Sequence, residues 1–429
     1  MGTKKDIKDI ISKDPEGFDQ KQLLAEAEKI VLEESEKLTG ATPGETIVLG
    51  DSFHHEGPRE IKDLTRKPQN KYKFEHSLGF GGMKAVLQVR DRDTGRSVAM
   101  AVIPDFTERP NSDIDRFIQE ARITALLEHP NIVPIHDIGV DENGSPYFTM
   151  KNLRGRTLAL LLKKLKNGEH SLLRRYDLND LLLIYLKVCN AIAFAHSKGV
   201  IHLDLKPENI HIGDYGEVLV LDWGLAKYLG NPENPDSPNP HADIASAEDF
   251  SKRLGSDGLN LTLNGVTKGT PGYMAPEQAA GKNDQKDERT DVYSLGAILF
   301  SILTFDTPLP NRDVKEMLVD TIRGNIETPR SMGSSHRSIP PAVEAIVLKA
   351  MRLDPNERYQ KVQELRSDII SYMSGYATSA EHAGAIKHTY LFIWRNFTIL
   401  LLSVSLVALA CLVGIILYFI YDGKILLNF

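Results

Sequence analysis

The sequence predicts an α+β chain with a small β-rich lobe, a larger helical lobe and one apolar helix near its C-terminal end. Three observations carry this. From Tyr72 to about Lys151 the chain runs in short strand-like segments such as Val98–Val102. Long apolar runs follow, Leu181–His196 and Asp291–Leu303, the second too short to span a bilayer and so read as a buried core helix. Phe397–Tyr421 is then uncharged and mostly apolar, long enough to cross a bilayer with some tilt. At 429 residues the chain exceeds one average domain, so two lobes with extensions are expected.

Composition narrows the function classes. Lysine and arginine number 51 against 58 aspartate and glutamate, a net charge of −7; this leaves no basic footprint, and no nucleic-acid partner is expected. Cys189 and Cys411 lie in dissimilar segments and form neither a disulfide framework nor a zinc spacing, which suits a reducing compartment. The first thirty residues are charged and lack an apolar core, so no signal peptide is expected.

Residues 1–71 read as an N-terminal extension. Leu23, Leu24, Ala27, Ile30, Val31 and Leu38 recur at roughly helical spacing among Glu and Lys. Such an amphipathic helix either packs on its own domain or docks a partner. Thr42–Gly57 reads as a polar linker, and His54-His55, with no further ligand spaced around it, as a solvated pair rather than a metal site.

Three motifs then fall in one order. His202-Leu203-Asp204-Leu205-Lys206-Pro207-Glu208-Asn209 has the pattern H-x-D-L-K-x-x-N. Asp222-Trp223-Gly224 follows, and later Gly269-Thr270-Pro271-Gly272-Tyr273-Met274-Ala275-Pro276-Glu277. Singly, each could be a surface turn; their company in this order removes that reading. Together they resemble the protein kinases, and the nearest likeness is to the bacterial eukaryotic-like (Hanks-type) serine/threonine kinases. The resemblance covers residues 72–373. It implies the bilobal protein kinase fold, transfer of the γ-phosphate of ATP to Ser or Thr hydroxyls of proteins, itself included, and use of Mg2+.

By the resemblance, Asp204 is the base, Lys206 the cation beside the γ-phosphate, and Asn209 and Asp222 the metal ligands. Phosphoryl transfer needs a base at the attacking hydroxyl and a cation on the leaving phosphates, and one short rigid loop can present both. Thr270 matches the threonine that bonds the catalytic aspartate and lysine. Trp223 stands where phenylalanine is usual, and its apolar bulk lets the packing role survive. Leu203 stands where many kinases carry an arginine that pairs with an activation-loop phosphate; leucine cannot do so, and phosphorylation there is not expected to be read through this position.

In the small lobe, Leu78-Gly79-Phe80-Gly81-Gly82-Met83-Lys84-Ala85-Val86 resembles the kinase glycine-rich loop, whose glycines let a hairpin backbone approach the nucleotide phosphates. Val86 and Ala99 match the positions that sandwich adenine. Two departures occur. The strand Val98-Ala99-Met100-Ala101-Val102 has alanine at 101, where the family carries its phosphate-pairing lysine, and position 84 is lysine where the third glycine is expected. The with-no-lysine kinases resemble this arrangement, with a lysine in the glycine-rich loop serving instead. A cation about 4 Å from a phosphate oxygen gains roughly 4 kcal/mol at an effective dielectric near 20. Loss of even ~3 kcal/mol slows the step by about two orders of magnitude. An uncompensated Ala101 therefore implies a near-dead enzyme. Two readings stand: Lys84 replaces the missing lysine, or Lys84 is a solvated surface residue and the chain a membrane-tethered pseudokinase scaffold. A lysine-to-alanine change at 101 alone would not account for the lysine at 84.

Arg116–Arg122 opens a helix in which Glu120 matches the αC glutamate that orients the phosphate-binding lysine. A strand from Tyr147 ends at Met150, the gatekeeper position, and Lys151 to Leu153 form the adenine-binding hinge. The segment from Asp222 to Glu277 is longer than usual for the family, with a Pro-, Asn- and Asp-rich insertion at Gly230–Pro240. Ser237, Ser246, Ser251, Thr262 and Thr267 are its candidate autophosphorylation sites. Glu277 is expected to pair with Arg358. Residues 374–396 read as a juxtamembrane tether, 397–421 as the span and 422–429 as a short tail. Tyr390, Trp394, Tyr418 and Tyr421 flank the span like interfacial aromatics; Lys387 and Arg395 precede it and only Lys424 follows. The expectation is a single-pass membrane protein with its kinase domain cytoplasmic.

Overall fold

Alternating Val, Leu and Ile between short turns builds the small lobe. In the computed structural model, β1 (Tyr72–Phe80), β2 (Ala85–Asp91), β3 (Ser97–Val102), β4 (Ile135–Val140) and β5 (Pro146–Lys151) form an antiparallel sheet in the order β1-β2-β3-β5-β4. The structure describes residues 71–80, 84–104, 106–141, 143–229, 270–282, 284–310, 313–333, 338–381 and 383–426. The expected N-terminal helix and linker, the Gly230–Pro240 insertion, the candidates Ser237, Ser246, Ser251, Thr262 and Thr267, and Gly81, Gly82 and Met83 lie outside these residues.

Successive side chains of a strand point to opposite faces, so each face of the sheet buries its own set. Ala85, Leu87, Val89, Val98, Met100, Val102 and Tyr147 pack together on one face. On the other, Ala101, Ile103 and Phe148 meet Phe117, Ile118 and Ala121 of α1 (Asn111–Leu126). The Phe117 and Phe148 rings lie 4.9 Å apart. Burial of each such side chain contributes about 1.5–3 kcal/mol, which fixes α1 against the sheet.

The large lobe begins with β6 (Gly155–Thr157), α2 (Leu158–Lys166), α3 (His170–Arg175) and α4 (Leu178–Ser197). Four short strands follow: β7 (Val200–Ile201) pairs with β10 (Lys227–Tyr228), while β8 (Ile210–Gly213) and β9 (Val218–Val220) complete a sheet of order β6-β8-β9. Then come α5 (Pro276–Ala279), α6 (Glu288–Thr304), α7 (Val314–Arg323), α8 (Pro329–Met332), α9 (Pro341–Ala350) and α10 (Val362–Met373). The expected helix at Asp291–Leu303 starts three residues earlier, because Asp287 caps it and Thr290 returns the bond to the Asp287 amide. It is apolar almost all round and buried from Thr290 to Thr304, as the central helix of a lobe must be. Gly296 is required there: a Cβ would stand 2.8 Å from Ala350 Cβ and 2.7 Å from Met351 Cγ, so only glycine lets α9 come this close.

Beyond the large lobe, α11 (Ala385–Arg395) and α12 (Phe397–Leu426) are separated by Asn396 alone. Among the described residues two helices are long and apolar enough to cross a membrane. One is α4, half covered by its own lobe, and the other is Phe397–Phe419, of which no part is covered by protein.

Candidate active site

The floor of the cleft is set by one buried carboxylate. Asp291, in the first turn of α6, accepts from the backbone amides of His202 (2.8 Å) and Leu203 (2.9 Å) and meets His196 Nε2 at 2.8 Å. Burial alone would raise its carboxyl; the His196 ring and the neighbouring amide donor hold it below the usual range instead. Gln278 Nε2 donates to the Leu203 carbonyl at 2.7 Å. Clamped from both sides, Leu203 sits at φ +63°, a conformation that costs a non-glycine residue roughly 1 kcal/mol or more and persists only where its surroundings over-determine it. This bend aims the following residues into the cleft.

There Lys206 Nζ donates to Asp204 Oδ2 (2.9 Å) and Thr270 Oγ1 (2.6 Å), and Thr270 Oγ1 donates to Asp204 Oδ1 (3.0 Å). Asp204, Lys206 and Thr270 thus form one closed cycle. Asn209 Nδ2 donates to the Asp204 carbonyl at 2.8 Å, so the amide's donor end is committed to the loop and its oxygen is the end suited to a hard cation. The Asn209 carbonyl accepts from Leu221 N at 2.8 Å, which ties the loop to the residue before Asp222.

Asp222 is itself left-handed, at φ +59°. Next to it Trp223 is buried, its ring 4.5 Å from that of His202, and among the described residues its indole nitrogen has no hydrogen-bond partner. Gly224 leaves room for two carboxylates. A Cβ there would crowd Glu120 Oε2 at 3.2 Å and Asp222 Oδ1 at 3.3 Å.

The small lobe contributes the opposite wall. Register pairs Val86 of β2 with Ala101 of β3, and Ala101 with Phe148 of β5. Lys84 precedes Val86 by two residues and therefore points to the same face, one pleat along, about 7 Å from the row that holds Ala101. A four-carbon stem covers that offset. Lys84 Nζ forms an ion pair with Glu120 Oε1 of α1 and a second with Asp222 Oδ1 at 3.2 Å. Burial would lower the Lys84 ammonium, but the Glu120 and Asp222 carboxylates more than reverse this and raise it. Burial likewise works to raise the Asp222 carboxyl, and Lys84 holds it below its ordinary value. Burial pushes the Glu120 carboxyl up against the pull of Lys84.

The remaining expected cleft residues fall as follows. Leu78, Gly79 and Phe80 end β1, Val86 and Ala99 face the cleft side of the sheet, Met150 closes β5 among the residues packed on α1, and Leu153 follows the strand. Ala85 differs: its side chain lies in the core of the opposite sheet face with Leu87 and Met100, so only its backbone can serve a nucleotide. Sequence reasoning missed Asp291 as the anchor of the catalytic loop and Gln278 as its second clamp. The one local signal for Asp291 was a carboxylate heading an apolar helix. Glu277 and Arg358 make the expected pair, with Nη1–Oε1 at 2.9 Å and Nη2–Oε2 at 2.8 Å, and Thr290 Oγ1 adds a bond to Glu277 at 2.9 Å.

This constellation on this fold defines a protein kinase. The chain matches the protein kinase domain family over residues 72–369 and belongs to it. It is similar to serine/threonine-protein kinases of bacteria. It is 37% identical over 309 residues to serine/threonine-protein kinase PknD of Protochlamydia amoebophila, 36% to that of Chlamydia pneumoniae and 34% to that of Chlamydia trachomatis serovar D. Each match takes in 71% of this chain but only 30–32% of the relative, so the chain spans less than a third of the length of these curated relatives.

Members of this family use ATP and a divalent metal, and the residues present fit both. Among the described residues no group of three or more His, Cys, Asp or Glu could hold a metal by itself. Asn209 with one carboxylate, Asp222, is instead the sparse donor set of Mg2+ that takes its other ligands from phosphates and water.

Proposed function

We propose that the chain is an active serine/threonine protein kinase, transferring the γ-phosphate of ATP to Ser or Thr hydroxyls of proteins, itself included. The observation that carries this is the placement of Lys84 between Glu120 and Asp222. It has the two neighbours that a phosphate-binding lysine needs, although it comes from β2's end of the hairpin and not from position 101. Asp204 accepts the proton of the attacking hydroxyl; its Oδ1 and Oδ2 are oriented by Thr270 and Lys206. Lys206 steadies the transferring phosphoryl. Lys84 binds the inner phosphates, and Glu120 keeps its stem from turning outward. The cleft face at Leu78, Val86, Ala99, Met150 and Leu153 takes adenine, with Gly79, Phe80, Gly81, Gly82, Met83 and Ala85 of the glycine-rich hairpin over the phosphates. Asn209 and Asp222 would hold Mg2+, which supplies charge neutralisation on the phosphate oxygens.

The domain division that goes with this reading is an N-terminal extension (1–71), the kinase domain (72–373), a juxtamembrane segment (374–396), a single membrane span (397–421) and a tail (422–429). The uncovered apolar helix α12 supports the span, and the bias of Lys and Arg toward its N-terminal flank supports a cytoplasmic kinase domain. The test of activity is phosphate transfer from radiolabelled ATP with Mg2+, followed by phosphoamino-acid analysis. Labelled Ser or Thr is expected; no incorporation into itself or a general acceptor protein returns the chain to the scaffold reading that Ala101 favours. Truncation before Phe397 is expected to let alkaline carbonate wash the protein off membranes, and a truncated form that still resists the wash sinks the single-span reading.

A further inference from the structure

The segment between the large lobe and α12 is tied down at each step. Asp368 of α10, buried, accepts from Ser379 N (2.7 Å), Ser379 Oγ (2.8 Å), Ala380 N (3.1 Å) and Tyr359 Oη (2.7 Å). Lys349 Nζ of α9 donates to Ser379 Oγ at 3.0 Å. Lys387 of α11 pairs with Glu381, and the Arg395 guanidinium lies 3.8 Å over the Tyr376 ring while reaching the Gly375 carbonyl at 3.4 Å. Lys387, Leu391 and Arg395, four residues apart, therefore mark the face of α11 turned to the lobe. Asn396, at φ −101° and ψ 13°, interrupts the helix between α11 and α12, while its amide donates to Phe392 O (3.0 Å) and its carbonyl accepts from Leu400 N (2.9 Å).

The other face of α11 is apolar and open. Ile386, Tyr390, Ile393 and Trp394 are 47–89% exposed. By helical geometry they fall in one stripe about 100° wide that runs on into Phe397 at the start of α12. The stripe cannot lie in the hydrocarbon with the span. The 30 residues of α12 reach about 45 Å, already more than the ~30 Å of a bilayer core. The helix carries Lys387, His388 and Arg395 and no acidic residue, and its stripe includes a Tyr and a Trp, side chains that prefer the headgroup level.

We propose that α11 is an interfacial helix, its Ile386–Tyr390–Ile393–Trp394 stripe seated among the lipid headgroups on the kinase side of the bilayer. Because the adjoining face, marked by Lys387, Leu391 and Arg395, is bonded to the large lobe, the kinase stands on the membrane surface at a fixed height. The inference rests on α12 being a span. The occupant of the stripe is lipid, favoured over a second copy of the chain because the stripe is continuous with the span and carries a Tyr and a Trp, side chains that prefer the headgroup level.

The chain has two tryptophans, and Trp223 is buried, so Trp394 is the reporter. The full chain is reconstituted in vesicles of phosphatidylethanolamine and phosphatidylglycerol, some of the lipid brominated high on the acyl chain or near its methyl end. The expected result is blue-shifted Trp394 emission, quenched more by the shallow bromines, with most of the quenchable signal lost in Trp394→Phe. Emission unchanged by either brominated lipid, from protein that resists alkaline carbonate washing, overturns the interfacial helix and leaves the span standing. Stronger quenching by the deep bromines also overturns it, by placing α11 within the span. So does shielding of Trp394 from aqueous iodide without bromine quenching, the mark of a second copy. Protein that washes off with carbonate removes the span reading, and the inference with it.

Discussion

Lys84 and Lys206 bring ammonium groups to the cleft from opposite lobes and are held in different ways. Lys206 belongs to a loop whose backbone is clamped by Asp291 and Gln278, and its partners Asp204 and Thr270 bond each other as well as the lysine. Its position is fixed by the chain path. Lys84 is held through side chains only, by Glu120 from α1 and Asp222 from the large lobe. An ion triad of this kind specifies where a positive charge must be, not which strand supplies it. The wall built on backbone geometry keeps the family's sequence pattern; on the proposed reading of Lys84, the wall built on side-chain electrostatics has exchanged residues between neighbouring strands.

The largest effect is expected on the backbone-built side. Asp204→Asn keeps the shape of the loop but removes the base, and phosphate transfer is expected to fall by about 10³-fold, within the range for general-base removal. Loss of less than tenfold breaks the assignment. On the other wall, Lys84→Ala is expected to cost about 10²-fold in kcat/KM, the ~3 kcal/mol of a lost phosphate contact. The sharper version adds Ala101→Lys to Lys84→Ala: if only the position of the charge counts, the double variant regains at least about tenfold over Lys84→Ala. A double variant no better than the single would mean that the hairpin origin of the lysine matters. Glu120→Gln, which leaves Lys84 its bond to Asp222, is expected to cost about tenfold, mainly in kcat.

The smallest effect concerns pH. Asp222 is depressed below its usual 3.8, so its pairing stabilises the fold above that value and is lost as pH falls through the depressed one. Lys84 is raised above its usual 10.5, so its share is present below 10.5 and lost as pH rises beyond the raised value. Glu120 is already raised above its usual 4.5 and loses the pull of Lys84 in Lys84→Met, so the stability gap between the native chain and that variant in thermal melts is expected to begin narrowing above pH 4.5 and to narrow further in acid. A gap that widens in acid contradicts the triad.

The sequence made some of this legible and hid the rest for physical reasons. Asp204, Lys206 and Asn209 were legible as candidates because one continuous loop presents them, and Asp222 because it opens a second short motif beyond β9. Lys84 was readable as a paired anomaly, one lysine missing and another out of place. Asp291 was not, because its contacts reach across 88 and 89 residues and nothing near it in sequence marks the loop it holds. Ala85 was read as part of a contiguous loop, whereas strand alternation sends its side chain to the far face of the sheet. Residues 374–396 read as a mixed tether because their His, Thr and aromatic residues are middling helix formers; the helix at 385–395 takes its hold from Lys387 and Arg395 against the lobe.

The first turn of α6 has one more consequence. It receives the catalytic loop through Asp291 and, through Thr290 and the Arg289 carbonyl, the buried Glu277–Arg358 pair that closes the activation segment. At the segment's near end, Leu229 N is fixed to Gly199 O at 2.7 Å; at its far end, Thr270 is fixed to Asp204. Both mooring points are thus independent of how much chain runs between them. Closing a longer run adds only about 0.6 kcal/mol per doubling of its length. A change in the number of residues between Leu229 and Thr270 is therefore expected to leave both moorings, and the chemistry beneath, in place.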